Sequence, residues 1–523
     1  MSKFLIAFIF SIALILRLWN LSSVPGSLSI DEVTFGYAGY SVLKTAHDEF
    51  GRFLPLAFEG VGDFKPPIDV YLNSLSIFLF GLNEFGVRFD GAILGSLTSI
   101  VVVFLLREFG LKKGAWFGGF WLATSGWHIF FSRAGYEAIT ASFFLVVGSY
   151  FFLRGVRLGK KFLIVFSILA FSFGVWSYHA ERIFVPVLWV FLVFVFRKKL
   201  LRIFKEKKDY IFPVLVFGIF ALPFIYLVVF SQEISARAMN LWLSQDPAIA
   251  AKLTGGLGDI GIISSAFVGQ YLGYFDLKFL FWDGLRLSPE GFQGIGIFSL
   301  VDIPVVGAGI YQLITSKNKK LKVLMLVWLF LYPLPGAFAR GSASPIRALV
   351  GIPFFAGSVG LGFEKLSGWW RNRFKFKFLY GGVMVLGLVY FFDMYVRIFP
   401  RYNADVWNYG YKEVAEYACE NHDKYSQIII TDKYGIELPS VKTVPHYYIL
   451  FHCKIDPALY LSNKELYNIY IRQPQWRIDR ELKNALLIGS RWDFPEGFDM
   501  NKIMKTIYFS NGKAAFYFVE TEK

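Results

Sequence analysis

The chain has 523 residues, of which 55% are hydrophobic and 19% aromatic, and its mean hydropathy is +0.47. Soluble proteins have an apolar share of about 45–50%, so this composition excludes a soluble fold and predicts a polytopic membrane protein. The net charge of +15 lies in short basic runs between apolar segments, a pattern that indicates membrane topology. We therefore expect no nucleic-acid partner.

Apolar runs long enough to cross a bilayer as helices occur eleven times along the chain. They cover residues 4–19, 86–106, 114–131, 137–153, 161–178, 182–196, 211–230, 293–315, 321–336, 345–363 and 378–397. The pattern predicts an all-α polytopic membrane protein with about 11 transmembrane helices.

Loop charge predicts the orientation of these helices. Every second loop is rich in Lys and Arg, beginning with the loop after residue 106, whereas the short loops between them hold one or two basic residues each. Cytoplasmic loops are enriched in Lys and Arg. We therefore expect a multi-pass protein of the cell membrane with a cytoplasmic N-terminus, and with residues 20–85, 231–292 and 400–523 on the outer face.

The composition becomes that of a soluble protein after about residue 400. A helical stretch lies near residues 407–419, and strand-like runs lie at 427–431, 485–488 and 515–519. We predict two domains. Residues 1–399 form a transmembrane domain with outer loops 20–85 and 231–292, and residues 400–523 form a small α/β domain on the outer face.

An adjacent acidic pair, Asp31 and Glu32, follows the first apolar run and falls on the predicted outer face. Lys65 comes later in the same loop, and Pro66 and Pro67 after it stiffen the backbone. A fixed cation near a carboxylate favours an anionic substrate. The alternative is a solvated loop charge paired with a nearby acid.

Arginine recurs at the predicted outer turns between helices. Arg133, Arg182 and Arg347 all occupy such turns. The planar guanidinium forms bidentate hydrogen bonds with phosphate, so these residues are candidate phosphate ligands. The alternative is that each extends to the membrane surface and contacts lipid headgroups.

The order of these features along the chain carries a resemblance. One apolar span is followed by an acidic pair, a Lys-Pro-Pro element, outer turns with arginine, a long outer loop containing Tyr-Leu-Gly-Tyr-Phe at 271–275, and a tail opening Trp-Asn-Tyr-Gly-Tyr-Lys at 407–412. This order resembles the GT-C membrane glycosyltransferases. Within them it is similar to the protein O-mannosyltransferase and aminoarabinose transferase superfamily.

The resemblance implies transfer of a hexose or pentose from a polyprenyl-phosphate donor to an acceptor hydroxyl on the outer face, with inversion at the anomeric carbon. The acceptor would be a protein, a glycolipid or a glycan. Asp31 is then the candidate base, and Glu32 orients the acceptor or pairs with an arginine. Lys65 and Arg347 are the first candidates for the donor phosphate, with Arg133 and Arg182 behind them.

No metal or other cofactor is expected, since the sequence contains no zinc-site spacing of His and Cys. A divalent cation held by Asp31, Glu32 and Asp63 is the alternative. The rival function is a transporter or flippase of a lipid-linked substrate. Transporters usually place ionisable residues inside the membrane, and here Asp302 and Asp393 lie near the ends of predicted spans.

Overall fold

A computed structural model describes residues 2–60, 64–231, 242–256, 258–285, 291, 294–370, 373–442 and 445–522. The chain forms two compact units. The first unit comprises Met1–Trp19 and Gly91–Phe392, and the second comprises Asn20–Asp90 and Asp393–Lys523. The predicted domain boundary after residue 399 separates the membrane-crossing part of the chain from the outer tail, and it stays a prediction. The compact units divide it by packing, and the second unit contains both the first predicted outer loop and the tail.

Helices make up most of the first unit. In chain order, the α-helices from Ser2 to Asp393 are Ser2–Leu18, Ile30–Thr45, Pro67–Phe80, Glu84–Phe109, Gly114–Thr124, Gly126–Arg133, Glu137–Leu158, Lys161–Val175, His179–Ile203, Lys208–Phe230, Pro247–Ala250, Gly258–Gly273, Leu277–Phe281, Ile303–Thr315, Lys319–Leu331, Leu334–Ala337, Ile352–Trp369 and Arg373–Asp393. Two of these, Ile30–Thr45 and Pro67–Phe80, belong wholly to the second unit. Short 3-10 helices lie at Leu243–Gln245, Leu300–Asp302 and Arg347–Gly351.

Six helical segments of the described chain are long and apolar enough to cross a membrane. These segments are Glu84–Phe109, Glu137–Leu158, Lys208–Phe230, Lys319–Ala337, Arg347–Trp369 and Lys375–Tyr402. Every predicted apolar run overlaps a helix, but the count of eleven spans stays a prediction. The run at 114–131 shows why run length overstates helix length, because Ser125 has extended backbone angles and separates two shorter helices.

The tail of the second unit contains a five-stranded sheet. Its strands, in spatial order, are Ile469–Ile471, Gln427–Ile430, Ala485–Gly489, Ala514–Glu520 and Ile503–Tyr508. The first three are parallel, and Ala514–Glu520 runs antiparallel to both of its neighbours. The central strand Ala485–Gly489 is buried along its whole length, as expected for a strand covered on both faces.

The remaining elements of the second unit surround this sheet or belong to the first loop. The further α-helices are Phe399–Tyr402, Tyr411–Asn421, Pro445–His452, Pro457–Asn463 and Trp476–Asp479, with a π-helix at Met394–Ile398 and 3-10 turns at His422–Lys424 and Met500–Lys502. The two-residue strands are Phe58–Glu59 paired with Phe64–Lys65, and Lys433–Tyr434 paired with Ser440–Val441.

A disulfide joins two helices of the tail. Cys419, in Tyr411–Asn421, is bonded to Cys453, directly after Pro445–His452. Disulfides persist in oxidising compartments, so this bond supports the predicted outer location of the tail.

The strands of the tail overlap all three strand-like runs predicted from the sequence. The outer location of the tail stays a prediction.

Glu49 is a buried carboxylate between the first loop and the tail, 3% exposed. The Tyr447 hydroxyl donates to Glu49 Oε1 over 2.8 Å, and burial raises the pKa of Glu49 from its ordinary 4.5 to about 7. Folding therefore raises the proton affinity of this group. The free energy of unfolding should fall as pH rises from about 4.5 to about 7, by about 3 kcal/mol, and should then level off.

We expect Glu49→Gln to remove this slope, since the amide stays neutral and its oxygen still accepts from Tyr447. Melting temperatures at pH 5 and pH 8 would measure the slope in both proteins. Glu496→Gln, at an exposed glutamate of the same unit, is the matched control and should keep the wild-type slope. An equal slope in the Glu49→Gln protein would contradict the prediction.

Candidate active site

The acidic pair lies in the first turn of helix Ile30–Thr45. Ser29 is the N-cap, and its hydroxyl accepts from the Glu32 amide over 3.2 Å while Glu32 Oε2 accepts from the Ser29 amide over 2.7 Å. This capping box satisfies two amides that the helix itself leaves unpaired. The helix start is thereby fixed, and with it the place of Asp31.

Asp31 is the accessible member of the pair. Its Oδ1 lies 2.9 Å from Lys65 Nζ, and the Asp31 side chain is 28% exposed against 9% for Lys65. Lys65 is held by the short strand Phe64–Lys65 and by the Phe35 ring, whose centroid lies 5.8 Å from its Nζ. Lys65 is thus ordered and paired with Asp31, and its role towards a substrate stays a prediction.

The two prolines after Lys65 begin the next helix. Pro66 is the N-cap of Pro67–Phe80, and Pro67 is its first helical residue, a position that proline favours because its missing N–H would be unpaired there anyway. Asp63, the third acid of the alternative cation site, lies outside the described residues.

Glu32 is fully enclosed, in contrast to its neighbour. Arg88 Nε lies 2.6 Å from Glu32 Oε1 and Arg88 Nη2 lies 3.4 Å from Oε2, and both side chains are 0% exposed. Arg88 also donates to the carbonyls of Leu21 at 3.0 Å, Pro25 at 2.9 Å and Ser27 at 2.6 Å. Of the two roles expected for Glu32, this geometry favours pairing with an arginine.

Sequence reasoning missed Arg88, which falls inside the predicted run 86–106. The sequence does contain a signal, because burying an arginine in an apolar segment costs free energy and such an arginine usually has a specific partner. The identity of that partner was hidden, since Glu32 precedes Arg88 by 56 residues.

The side chain of Arg133, the last residue of helix Gly126–Arg133, is buried. It reaches the C-terminal end of helix Ser2–Leu18. Its Nη1 donates to the carbonyls of Leu16, Arg17 and Trp19 at 3.2, 2.9 and 2.7 Å. The last carbonyls of a helix lack partners within the helix, and a cation there is favourable. Arg133 therefore holds the end of helix Ser2–Leu18.

Arg17 plays a similar role at the end of another helix. It donates to the carbonyls of Leu122 at 3.3 Å and Ala123 at 3.0 Å, at the end of Gly114–Thr124, and its Nη2 lies 2.8 Å from His128 Nδ1. The end of Ser2–Leu18 is thus bound by Arg133 of helix Gly126–Arg133, and the end of Gly114–Thr124 is bound by Arg17 of Ser2–Leu18.

Arg182 and Arg347 are partly exposed members of the first unit. The guanidinium carbon of Arg182 lies 5.1 Å from the centre of the Phe224 ring. Arg347 begins a 3-10 turn, and its Nη1 lies 3.5 Å from the Arg340 carbonyl. The Tyr274 hydroxyl accepts from the Ser344 amide over 3.1 Å, so the predicted aromatic loop supports the segment that carries Arg347.

The structure thus places Asp31, Glu32 and Lys65 together in the second unit, and Arg133, Arg182 and Arg347 in the first unit. Within the described residues, no group of three or more His, Cys, Asp or Glu side chains is arranged to hold a metal ion. Both oxygens of Glu32 are engaged by Arg88 and Ser29, and Oδ1 of Asp31 is engaged by Lys65. Metal independence stays a prediction.

A cavity of about 450 Å³ lies within the first unit. Its walls are largely aromatic and include Trp121, Trp127, Phe281, Trp282, Phe298 and Phe391. Asp302 lines it too, but its carboxylate accepts from Trp121 at 3.1 Å, from Tyr380 at 2.9 Å and from Ser299 at 2.9 Å. The Asp302 carboxylate is therefore hydrogen-bonded within the protein.

Comparison with known sequences gives two matches. Residues 7–240 match the family described as dolichyl-phosphate-mannose-protein mannosyltransferase. An uncharacterized protein of Aquifex aeolicus (strain VF5) is 29% identical over 189 residues. That match covers 35% of this chain and 37% of the relative, so it spans little more than a third of the relative's length.

Comparison with solved structures gives matches over nearly the whole chain. ArnT from Cupriavidus metallidurans bound to undecaprenyl phosphate has a TM-score of 0.58 at 13% identity, over 99% of this chain and 98% of that one. The Archaeoglobus fulgidus oligosaccharyltransferase AglB, in complex with an inhibitory peptide and a dolichol-phosphate, has a TM-score of 0.51 at 12% identity, over 93% and 69%. At such identities the likeness shows the fold alone, and the family match over residues 7–240 agrees with the resemblance inferred from the sequence.

Proposed function

We propose, on the premise that this chain has the fold of the GT-C membrane glycosyltransferases, that it transfers a sugar from a polyprenyl-phosphate donor to an acceptor hydroxyl. One observation carries the proposal: the partly exposed Asp31 carboxylate lies 2.9 Å from the Lys65 ammonium. A base and a cation are thus adjacent. The lipid phosphates bound by ArnT and AglB support a lipid-linked donor.

The transfer requires one proton acceptor and one stabilised leaving group. Asp31 takes the proton of the acceptor hydroxyl as its oxygen attacks the anomeric carbon. The bond from that carbon to the phosphate oxygen breaks on the opposite face, so the configuration inverts and the polyprenyl phosphate leaves with the bonding electrons. Lys65 offsets the negative charge that develops on this phosphate.

The other predicted residues take roles that match their burial. Glu32 acts through Arg88, as a positioning group for the helix that carries Asp31. For the donor phosphate we retain Arg347 and Arg182 ahead of Arg133, because Arg133 is buried and its Nη1 binds three carbonyls. The assignment of all three arginines to phosphate remains a proposal.

Removing the Lys65 ammonium tests the leaving-group role. We expect Lys65→Met to lower the turnover rate by about 10²–10³-fold, the usual effect of losing one charge-stabilising donor. Initial rates at several donor concentrations would measure it. Lys44→Met removes an exposed lysine from the end of the helix that carries Asp31 and should leave the rate unchanged. Equal rates in the two variants would contradict the role of Lys65.

A donor screen tests the proposal as a whole. Purified protein would be incubated with polyprenyl-phosphate mannose, other hexoses and an aminopentose, together with peptide, glycolipid and glycan acceptors, and products would be identified by mass spectrometry. We expect transfer from at least one lipid-linked donor, and we expect it to persist in EDTA. Transfer only from a nucleotide sugar, or from no donor at all, would overturn the proposal.

The transporter alternative receives no support from the two acids near span ends. Asp302 accepts from Trp121, Tyr380 and Ser299, and Asp393 accepts from Arg397 over 2.9 Å. Neither offers the unpaired intramembrane charge that ion-coupled transport commonly uses. Movement of a lipid-linked sugar across vesicles without formation of a glycosylated product would restore this alternative.

The proposed location is the cell membrane, with the N-terminus in the cytoplasm and the tail outside. Because Cys419 and Cys453 are bonded to each other, an introduced cysteine is readily followed by thiol labelling. Tyr508→Cys, at a tail residue 63% exposed, should react with an impermeant reagent added outside intact cells. Lys198→Cys, at an exposed residue in the basic C-terminal part of helix His179–Ile203, should react only after permeabilisation, and the reverse pattern would overturn the orientation.

A further inference from the structure

The segment that leads into the Asp31 helix is held by the tail. Gly26 donates its amide hydrogen to the Tyr409 hydroxyl over 2.9 Å. The Ser27 hydroxyl donates to the Asn408 carbonyl over 3.3 Å, and the Tyr448 hydroxyl donates to the Leu28 carbonyl over 2.5 Å. Together with Arg88, which binds the carbonyls on either side of Gly26, these contacts engage every residue from 25 to 28.

Tyr409 is itself anchored in the tail. Its carbonyl accepts from the Tyr434 hydroxyl, and Tyr434 is completely buried in the tail core. The neighbouring Gly410 has φ +97°, a left-handed conformation that glycine adopts without strain. The turn therefore holds Tyr409 in a fixed position.

Close packing reinforces the hydrogen bond at Gly26. A Cβ built on Gly26 would lie 3.0 Å from Cε1 of Tyr409, which is tighter than ordinary carbon contacts of about 3.5–4.0 Å. Tyr448 is 1% exposed and Asn408 is 0% exposed. Tyr448 and Asn408 thus contact the segment from a buried surface of the tail, whereas Gly26 is exposed and Tyr409 is partly buried.

Only two residues separate this contact from the candidate base. Leu28 is bound by Tyr448, Ser29 is the N-cap of the helix, and Asp31 lies in its first turn. A displacement of the segment 26–29 therefore shifts the turn that carries the carboxylate. Displacements of about 1 Å at a reacting group can cost up to about 10²-fold in rate.

We infer that Tyr409 and Tyr448 are positioning residues for Asp31, acting through the segment 26–29, and that the tail is part of the support of the active site. The inference rests on the proposed function, in which Asp31 is the base. It differs from a tail that only selects the acceptor, because such a tail would change acceptor affinity and leave turnover at saturating acceptor intact.

The test compares Tyr409→Phe and Tyr448→Phe with Tyr508→Phe, which makes the same change at an exposed tyrosine of the tail. We expect each of the first two to lower kcat by about tenfold, within the range set by misplacement of a reacting group, with KM for donor and acceptor changed less than about twofold. The number of donor-binding sites per protein molecule should be unchanged, which separates misplacement from loss of folded enzyme.

A double-substitution cycle gives the decisive reading. If Tyr409 acts through Asp31, adding Tyr409→Phe to Asp31→Asn should leave the residual rate of Asp31→Asn unchanged, because the base is already gone. A general structural defect would instead lower the rate by the same factor in both backgrounds, and that result would overturn the inference.

Gly26→Ala supplies a second route that keeps both hydroxyls. The added methyl would press on the Tyr409 ring, and a fall in kcat with unchanged donor binding is expected again. If Asp31→Asn keeps full transfer, the proposed function fails. If Asp31→Asn is inactive while Tyr409→Phe, Tyr448→Phe and Gly26→Ala behave like Tyr508→Phe, the positioning inference alone fails.

Discussion

Replacing Asp31 by asparagine is expected to lower sugar transfer by about 10²–10⁴-fold, the usual contribution of a general base. The amide has nearly the size of the carboxylate and retains an oxygen that faces Lys65, now 2.9 Å away. It cannot accept the proton of the acceptor hydroxyl. Donor binding should survive, so the measurement pairs single-turnover transfer with equilibrium binding of polyprenyl phosphate.

Asp456→Asn is the matched control for this substitution. Asp456 is an exposed aspartate of the second unit that caps helix Pro457–Asn463 by accepting from the Ala458 amide. Asparagine caps helices about as well as aspartate, so transfer should stay at the wild-type rate. Full transfer by the Asp31→Asn protein would remove Asp31 from the mechanism, whatever the state of the fold.

The helices were accessible to sequence reasoning because membrane helices carry a dense apolar signal. Each predicted run overlaps a helix, and the apolar strand Ala485–Gly489 was equally visible. Other elements carry no such signal. In Ile503–Tyr508 only Ile507 is buried, so the sequence of this strand lacks a continuous apolar run. The strand pair Phe58–Glu59 and Phe64–Lys65 is too short to show a period.

The candidate site was only partly accessible, because spacing along the chain reports order and not burial. The sequence placed Asp31 and Lys65 in one loop, and the structure places them in contact. Glu32 and Asp31 look alike in sequence, yet one is enclosed and the other reaches solvent. Likewise, the sequence shows Arg133 only as an outer-turn residue, and the structure shows it buried and bound to carbonyls at a helix end.

The burial of the Glu32–Arg88 pair makes Arg88 a sensitive position. Arg88→Met would leave the Glu32 carboxylate buried without its cation, and removal of one partner of such a pair costs about 3–5 kcal/mol of stability. The carbonyls of Leu21, Pro25 and Ser27 would lose their donor as well. We expect a large fall in melting temperature together with loss of transfer.

An exposed pair of the same unit calibrates this effect. Arg480→Met removes the partner of Glu481, whose side chain is 73% exposed against 55% for Arg480. A solvent-exposed pair contributes up to about 1 kcal/mol, so the melting temperature should barely move. A similar small shift for Arg88→Met would mean that water reaches Glu32, contrary to its burial.

Removing both charges of the buried pair separates stability from activity. In the double variant Glu32→Gln with Arg88→Met, no charge is left unpaired, so part of the lost stability should return. The carbonyls that Arg88 binds still lack a donor, and the segment leading to Asp31 stays loose. Transfer should therefore remain low at a recovered melting temperature, because the pair serves to place the neighbouring carboxylate. Recovery of transfer along with stability would show that the pair contributes to the fold alone.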